Sequence, residues 1–284
     1  MRPKQWPKNG FLLAALVFDR QLLHWEYLGR SIAALLLFCL LSSAIYIYND
    51  IRDITADRKH PTKRFRPIAA GELSLPAAYL AAIILLGIVF PISYLLSPQF
   101  FYFTFLYMLL SLAYSIWLKH LPIVDIIVLA SFYVVRVGAG VVVVQVAQFS
   151  PWLFVFTTFL ALFLGVGKRR AELSLLAGGP NVTRKSLGGY SLPLLDQWIT
   201  ITSTLTIMTY SLYTFFGPGM PPNHWMMLTI PFVIYGVFRY MFLVLVEQCG
   251  GSPEEVLISD RPLQAAIGLW GAGILLLYYV FYNA

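Results

Sequence analysis

Charge is scarce in this chain. Only 12% of its 284 residues are Asp, Glu, Lys or Arg, about half the share expected of a soluble domain. That is too little to solvate a surface of ordinary size. Cysteine is scarcer still. Cys39 lies in an apolar run and Cys249 in a polar stretch, which excludes a disulfide framework. The four histidines, His24, His60, His120 and His224, are scattered without ligand spacing, which excludes a zinc site. What is abundant is apolar: 59% of residues are hydrophobic, 16% aromatic, and the mean hydropathy is +0.73. This hydrophobicity comes in blocks close to the length of a bilayer-spanning helix, so the chain reads as an all-α membrane protein in one integral-membrane domain, residues 1–284.

Nine apolar segments predict nine transmembrane helices, at 11–24, 31–48, 75–96, 100–117, 123–146, 152–166, 194–216, 225–246 and 263–282. The first is short, contains Asp19 and Arg20, and lacks the small-residue cleavage site of a signal peptide. Pro91, Pro193 and Pro231 fall inside or at the edge of spans, where they can kink them. The net charge of +7 is one-sided. With alternate loops on opposite faces, 16 of the 20 Lys and Arg fall on one face, and only Arg20 and Arg30 on the other. The positive-inside rule then predicts a cytoplasmic N-terminus and cytoplasmic charged loops. A basic charge explained by one membrane face leaves no case for nucleic acid. The long loops 49–74 and 167–193 share that face, which hints at two similar halves serving one site.

The strongest local signal is Asn49-Asp50-Ile51-Arg52-Asp53-Ile54-Thr55-Ala56-Asp57, at the end of the second span. Spacings of three and four place Asp50, Asp53 and Asp57 on one face of a continuing helix. Three carboxylates so close repel unless a cation lies between them, and oxygen-only ligands favour Mg²⁺. Mg²⁺ is commonly shared between protein carboxylates and substrate phosphates, so a diphosphate is the expected guest. A solvated helix end would explain one such acid, but not four polar residues emerging together from a span. Five cations follow in Arg58-Lys59-His60-Pro61-Thr62-Lys63-Arg64-Phe65-Arg66-Pro67, suited to the remaining phosphate oxygens. Anionic lipid would explain the cations but not the adjoining acids.

These residues resemble the UbiA superfamily of intramembrane prenyltransferases, in which Asn-Asp-x-x-Asp-x-x-x-Asp follows the second span. Further runs are similar to its decaprenyl-phosphate phosphoribosyltransferase branch: Arg2-Pro3-Lys4-Gln5-Trp6-Pro7-Lys8-Asn9, 57–68, Tyr114-Ser115 through Lys119, Gly167-Lys168-Arg169-Arg170-Ala171-Glu172-Leu173 and Asp260-Arg261-Pro262-Leu263. The branch implies transfer of phosphoribose from phosphoribosyl diphosphate to a polyprenyl phosphate. It also implies an acceptor phosphate that needs no general base, and a tail lying in an apolar groove open to membrane lipids. Most superfamily members carry a second Asp-rich motif in the sixth loop. Here Lys168, Arg169 and Arg170 stand there with only Glu172, which suits a donor carrying an additional phosphate and implies at most one well-defined Mg²⁺. The Tyr114–Lys119 spacing is one residue longer than the Tyr-x-x-x-Lys common elsewhere.

The residues nominated are therefore Asn49, Asp50, Asp53 and Asp57 for the metal, with Asp50, Asp53, Lys8 and Arg136 in catalysis. Lys8, Asn9, Arg58, Lys63, Arg64, Arg66, Tyr114, Lys119, Lys168, Arg169, Arg170 and Glu172 are nominated for substrate. Arg136 lies within the fifth span, where a charge is costly and needs a polar cavity and a partner, either substrate phosphate or an acid on another helix. Asp125 is three turns away on the same helix, too far for a direct pair. Arg239, in the eighth span, equally suits a structural pair. Two other readings compete: a prenyl-diphosphate transferase, which would want acids in the sixth loop, and a transporter, which would want polar residues at midplane. The oligomeric state is open, and a homo-oligomer is compatible with the sequence.

Overall fold

The computed structural model describes residues 3–59, 63–146, 150–176, 185–220, 223–249 and 253–281. His60, Pro61, Thr62 and Arg184, and the side chains of Lys59 and Lys185, lie outside them. Among the described residues every regular element is helical. Eight long helices carry the bundle: α1 Trp25–Arg52, α2 Leu75–Leu96, α3 Pro98–Ile116, α4 Val124–Val144, α5 Pro151–Leu176, α6 Leu192–Phe216, α7 Ile230–Leu245 and α8 Arg261–Tyr279. Their ends follow local chemistry. Ser97, Ser191 and Asp260 accept backbone N–H bonds from Phe100, Leu194 and Leu263, satisfying donors that a helix start leaves open. Proline stands within the first two positions of α2, α3, α6, α7 and α8, where its missing N–H costs nothing.

Seven helical segments among the described residues are long and apolar enough to cross a membrane. The outward side of α2 exposes Leu80, Ile83, Ile84 and Leu95 while burying Ala78, Val89 and Ser93, as expected of a helix facing lipid. The two remaining segments predicted to span differ from expectation. The 25-residue α6 is long enough but carries six threonines and two serines, which dilute its hydropathy. The first segment is a 3₁₀ stretch, Pro3–Leu13, followed by a single α-helical piece, Ala14–Phe18.

Two cores divide the bundle. One gathers Leu12, Phe38, Leu41, Phe100 and Tyr107 from the N-terminal segment, α1 and α3; the other gathers Phe163, Leu195, Val237, Tyr240 and Leu263 from α5 to α8. Helix α4 joins them, giving Ile126 to the second and Val135, Ala139 and Val143 to the first. It also holds the N-terminal segment unusually close. A Cβ added at Gly140 would stand 2.0 Å from the carbonyl oxygen of Leu12, so only glycine permits this approach.

Candidate active site

The antiparallel run of the helices brings the C-terminal ends of α1, α3 and α5 together with the N-terminal ends of α4, α6 and α8. Most of the charged residues meet there. The expected continuous helix from Asn49 through Asp57 is interrupted: α1 ends at Arg52, Asp53 takes a non-helical conformation, and a short helix, Ile54–Lys59, starts afresh. The break changes how the acids are used. Asp50 and Asp57 turn toward one Arg66 nitrogen, which lies 3.0 Å from Asp50 Oδ1 and 2.5 Å from Asp57 Oδ2. Asp53 points elsewhere, its Oδ1 3.9 Å from Lys119 Nζ. Asp57 is almost wholly buried, whereas Asp53 keeps 44% of its side chain exposed. Arg66 reaches this position because the following helix, Pro67–Ala70, is pinned under the loop: Arg58 Nε donates to the Ala69 carbonyl, and the left-handed Gly71 ends the helix.

Among the described residues, no three His, Cys, Asp or Glu side chains are gathered closely enough to enclose a metal unaided. The donor set still fits a shared one. Asn49 Oδ1 is buried with no hydrogen-bond partner among the described residues, beside Asp50 and one residue-turn from Asp53. Such all-oxygen donors, too few to saturate an ion, suit Mg²⁺ that arrives with phosphate oxygens and water. Lys63 and Arg64 are exposed on the loop, Arg64 lying over the Phe65 ring, and can turn toward an anionic guest.

The cations expected in the sixth loop lie instead on the last turns of α5, which runs on to Leu176. Arg169 is fully buried, donating from Nε to Asp125 Oδ2 at 2.7 Å, from Nη2 to the Tyr114 hydroxyl at 2.9 Å, and from Nη1 to Glu172. The second Asp125 oxygen accepts from the Tyr190 hydroxyl at 2.6 Å, which itself accepts the Ile123 N–H. Burial, and then the bond given to Asp125, push the Tyr190 phenol well above its ordinary range, so it stays protonated and keeps donating. Arg170 is also engaged, with Asp196 on α6, Ser174, and the Val244 carbonyl near the end of α7. Arg169 and Arg170, expected to bind phosphate, are thus built into the wall, and Tyr114 and Glu172 are held by the same network. Lys168, beside them, is half-buried. Arg239 forms the structural pair anticipated for it, a two-pronged contact with Asp260 at 2.7 and 3.2 Å.

A third network lies deeper. Arg136 is buried and donates to Asn9 Oδ1, the Tyr107 hydroxyl and the Phe132 carbonyl. Asn9, wholly buried, donates in turn to Cys39 Sγ and Ser42 Oγ. Asn9 is therefore held by Arg136 rather than presented on a surface. Asp125, Asp196, Tyr107 and Tyr190 were not picked out as site residues from the sequence. Asp125 offered one signal, since an acid in the first turn of a spanning helix needs a buried cation.

Beside these networks runs a cavity of about 520 Å³, nearly all apolar, flanked by the N-terminal segment, α5, α7 and α8. Phe163, Tyr240, Trp270 and Ile274 line its length, while Lys8, Gly10 and Tyr133 stand on its wall.

Known proteins share both sequence and shape with this chain. A decaprenyl-phosphate phosphoribosyltransferase of Mycobacterium tuberculosis is 36% identical over 282 residues, covering 96% of this chain and 91% of that protein. One from Corynebacterium glutamicum is 35% identical over 287 residues, covering 99% and 86%. Among solved structures, a UbiA homologue from Archaeoglobus fulgidus bound to DMAPP and Mg²⁺ superposes with a TM-score of 0.74 at 18% identity, covering 98% of this chain and 97% of that one. The apo UbiA homologue from Aeropyrum pernix K1 gives 0.66 at 16% identity, covering 97% and 98%. The family profile itself matches residues 10–248. With most of its length inside that match, this multi-pass membrane protein belongs to the UbiA prenyltransferase family.

Proposed function

We propose that the chain is a transferase that moves 5-phosphoribose from phosphoribosyl diphosphate to a polyprenyl phosphate, decaprenyl phosphate by analogy with its relatives, releasing diphosphate. The observation that carries this reading is the pairing of an acid-and-cation cluster at the end of α1 with an apolar cavity walled partly by Lys8. A diphosphate donor suits the cluster and an isoprenoid tail suits the cavity. The near-full-length likeness to proteins named for this reaction supports it.

Asn49, Asp50 and Asp53 would hold a Mg²⁺ ion, as an archaeal UbiA homologue binds Mg²⁺ with DMAPP, while Asp57, also expected at the metal, is buried against Arg66. When bound, the ion supplies positive charge to the departing diphosphate. Arg66 is shared by Asp50 and Asp57 in the absence of substrate, and on binding it can turn one or more N–H groups to phosphate oxygens. Arg58, Lys63, Arg64, Lys119 and Lys168 are the other candidate phosphate contacts. The acceptor phosphate is already an anion, so attack at the anomeric carbon needs no base from the protein. The rigid Arg169 network supports the wall against which the donor is oriented.

The reading includes nine crossings with the site on the cytoplasmic side of a bacterial inner membrane. All eight Ser and Thr hydroxyls of α6 donate to carbonyls within the helix, so their polarity is spent internally. The 3₁₀ stretch compensates for its short length, since about 2.0 Å per residue over Pro3–Leu13 and 1.5 Å over Ala14–Phe18 sum to roughly 30 Å, the hydrocarbon thickness. The lopsided basic charge supports the orientation.

The test is to incubate purified protein with Mg²⁺, decaprenyl phosphate and radiolabelled phosphoribosyl diphosphate, then extract into organic solvent. Label in the organic phase, lost with EDTA, supports the assignment. Absence of label, with turnover of a prenyl diphosphate and an aromatic acceptor, replaces the substrate and keeps the family.

A further inference from the structure

Two arginines are buried among the described residues, and one of them has its charge matched: Arg169 faces Asp125 and Glu172. Arg136 has no carboxylate within 4.0 Å among the described residues. It is only 4% exposed and stands twelve positions into α4, which begins at Val124. At 1.5 Å per residue that is about 18 Å from the charged end, close to mid-membrane. Its guanidinium is held by Asn9 at 2.8 Å, Tyr107 at 2.6 Å and the Phe132 carbonyl at 2.9 Å, and it lies over the rings of Tyr107 and Tyr133. Every one of these partners is neutral. Two of its five N–H groups carry no bond among the described residues. A cation kept at that depth with neutral acceptors leaves a standing positive potential that only an incoming anion can offset.

The cavity places that potential. Tyr133, whose ring Arg136 overlies at 5.7 Å, is on the cavity wall, packed edge-on against Phe11 at 5.0 Å. Gly10 and Lys8 line the same stretch, and Gly10 follows the Asn9 that Arg136 holds. We propose that Arg136, one ring behind the cavity wall, and Lys8 on that wall together form the seat of a phosphate monoester beside the apolar cavity, and that this seat selects an anionic lipid over the corresponding alcohol. The ligand's identity rests on the function proposed above, whereas the unmatched charge does not. Two monoesters belong to that reaction, the polyprenyl phosphate and the 5-phosphate of the donor. The shared wall with the apolar cavity favours the lipid.

Arg136→Gln and Arg136→Lys are compared with wild type for the KM of each substrate. A lost charged hydrogen bond raises KM on the order of ten- to a hundredfold. Such a rise for decaprenyl phosphate in the glutamine variant, smaller in the lysine variant, supports the seat and assigns it to the lipid; the same rise for phosphoribosyl diphosphate assigns it to the donor. Unchanged KM for both, with a lower melting temperature, means that Arg136 is structural and overturns the proposal. A turnover-free arm compares thermal shifts with decaprenyl phosphate and with decaprenol. Wild type is expected to discriminate and Arg136→Gln not to, and equal discrimination by both proteins overturns a lipid seat. If the glutamine variant does not fold, wild type carries the test through photoreactive analogues of both substrates with the label beside the monoester. Crosslinks within 7–10 or 133–136 support the seat, and crosslinks confined to other segments overturn it. Wild type that transfers no phosphoribose yet discriminates by charge would refute the reaction and keep the seat.

Discussion

The two charged clusters at the loop end of the bundle are built from the same residue types and do opposite things. At the end of α1, one arginine is shared by two acids, the third acid is half in water, and an amide oxygen beside them is without a partner among the described residues. At the end of α5, one arginine has three directed bonds, each to a group fixed on a different element or turn, and no exposure at all. The first cluster can exchange its contacts for those of a substrate. The second cannot do so without leaving a buried charge unmatched. What separates a binding site from a structural tie is therefore whether the donors are already saturated and dry, more than which residues are present.

Substitutions can set the two clusters against each other. The largest effect on activity is expected from Asp50→Ala, which should abolish phosphoribosyl transfer in the extraction assay while leaving the melting temperature in detergent near wild type. Transfer retained at the Mg²⁺ concentration that suffices for wild type would move the metal away from Asp50. Arg169→Met should do the reverse, destabilising the fold by about 3–5 kcal/mol because Asp125 loses its counter-charge in a dry site. Thermal unfolding reads this directly, and pairing it with Asp125→Leu should recover much of the loss. Unaltered stability with a raised KM for the donor would make Arg169 a substrate ligand after all. Next comes Gly140→Ala, whose methyl would meet the Leu12 carbonyl and should cost about 1–3 kcal/mol of stability.

The smallest effect is expected at Arg239 and Asp260. Hydrogen bonds from Arg239, helped by the Leu263 N–H, hold the Asp260 carboxyl below the ordinary aspartate range. A depressed carboxyl contributes its stability above its ordinary pKa and loses it as pH falls through the folded value. Asp260→Asn keeps the helix cap and should remove about 0.2–1 kcal/mol at neutral pH. A pH series of melting temperatures should then show the variant and wild type converging on acidification below about pH 4. Curves that stay parallel would deny the pair any part in stability.

Much of this arrangement was legible in the sequence, for reasons that particular residues illustrate. The apolar blocks fixed the helices because a spanning helix needs only local pattern. Asn49 to Asp57 stood out because nothing about a membrane helix end calls for so many acids. The engagement of Arg169 and Arg170 was not legible because their partners, Asp125 and Asp196, are 44 and 26 residues away in sequence, and saturation is a property of the folded site. The break at Asp53 was hidden for a similar reason: spacing by three and four fits one helix, while the Arg66 that draws Asp50 and Asp57 together belongs to the next turn of chain. The hydroxyls of α6 look polar when counted by residue and are not when followed to their carbonyls.

The bond between Arg136 and Asn9 joins residues 127 positions apart. Asn9 is translated well before its anchor on α4, and before the Gly140 notch beside that anchor. During synthesis this segment must therefore wait at the bilayer with the Asn9 amide oxygen unsatisfied, while α1 to α4 insert and assemble. The segment made before these helices is secured after them. Insertion intermediates ending before residue 136 should accordingly leave it accessible to aqueous thiol reagents placed at its apolar positions, and those ending after residue 144 should protect it.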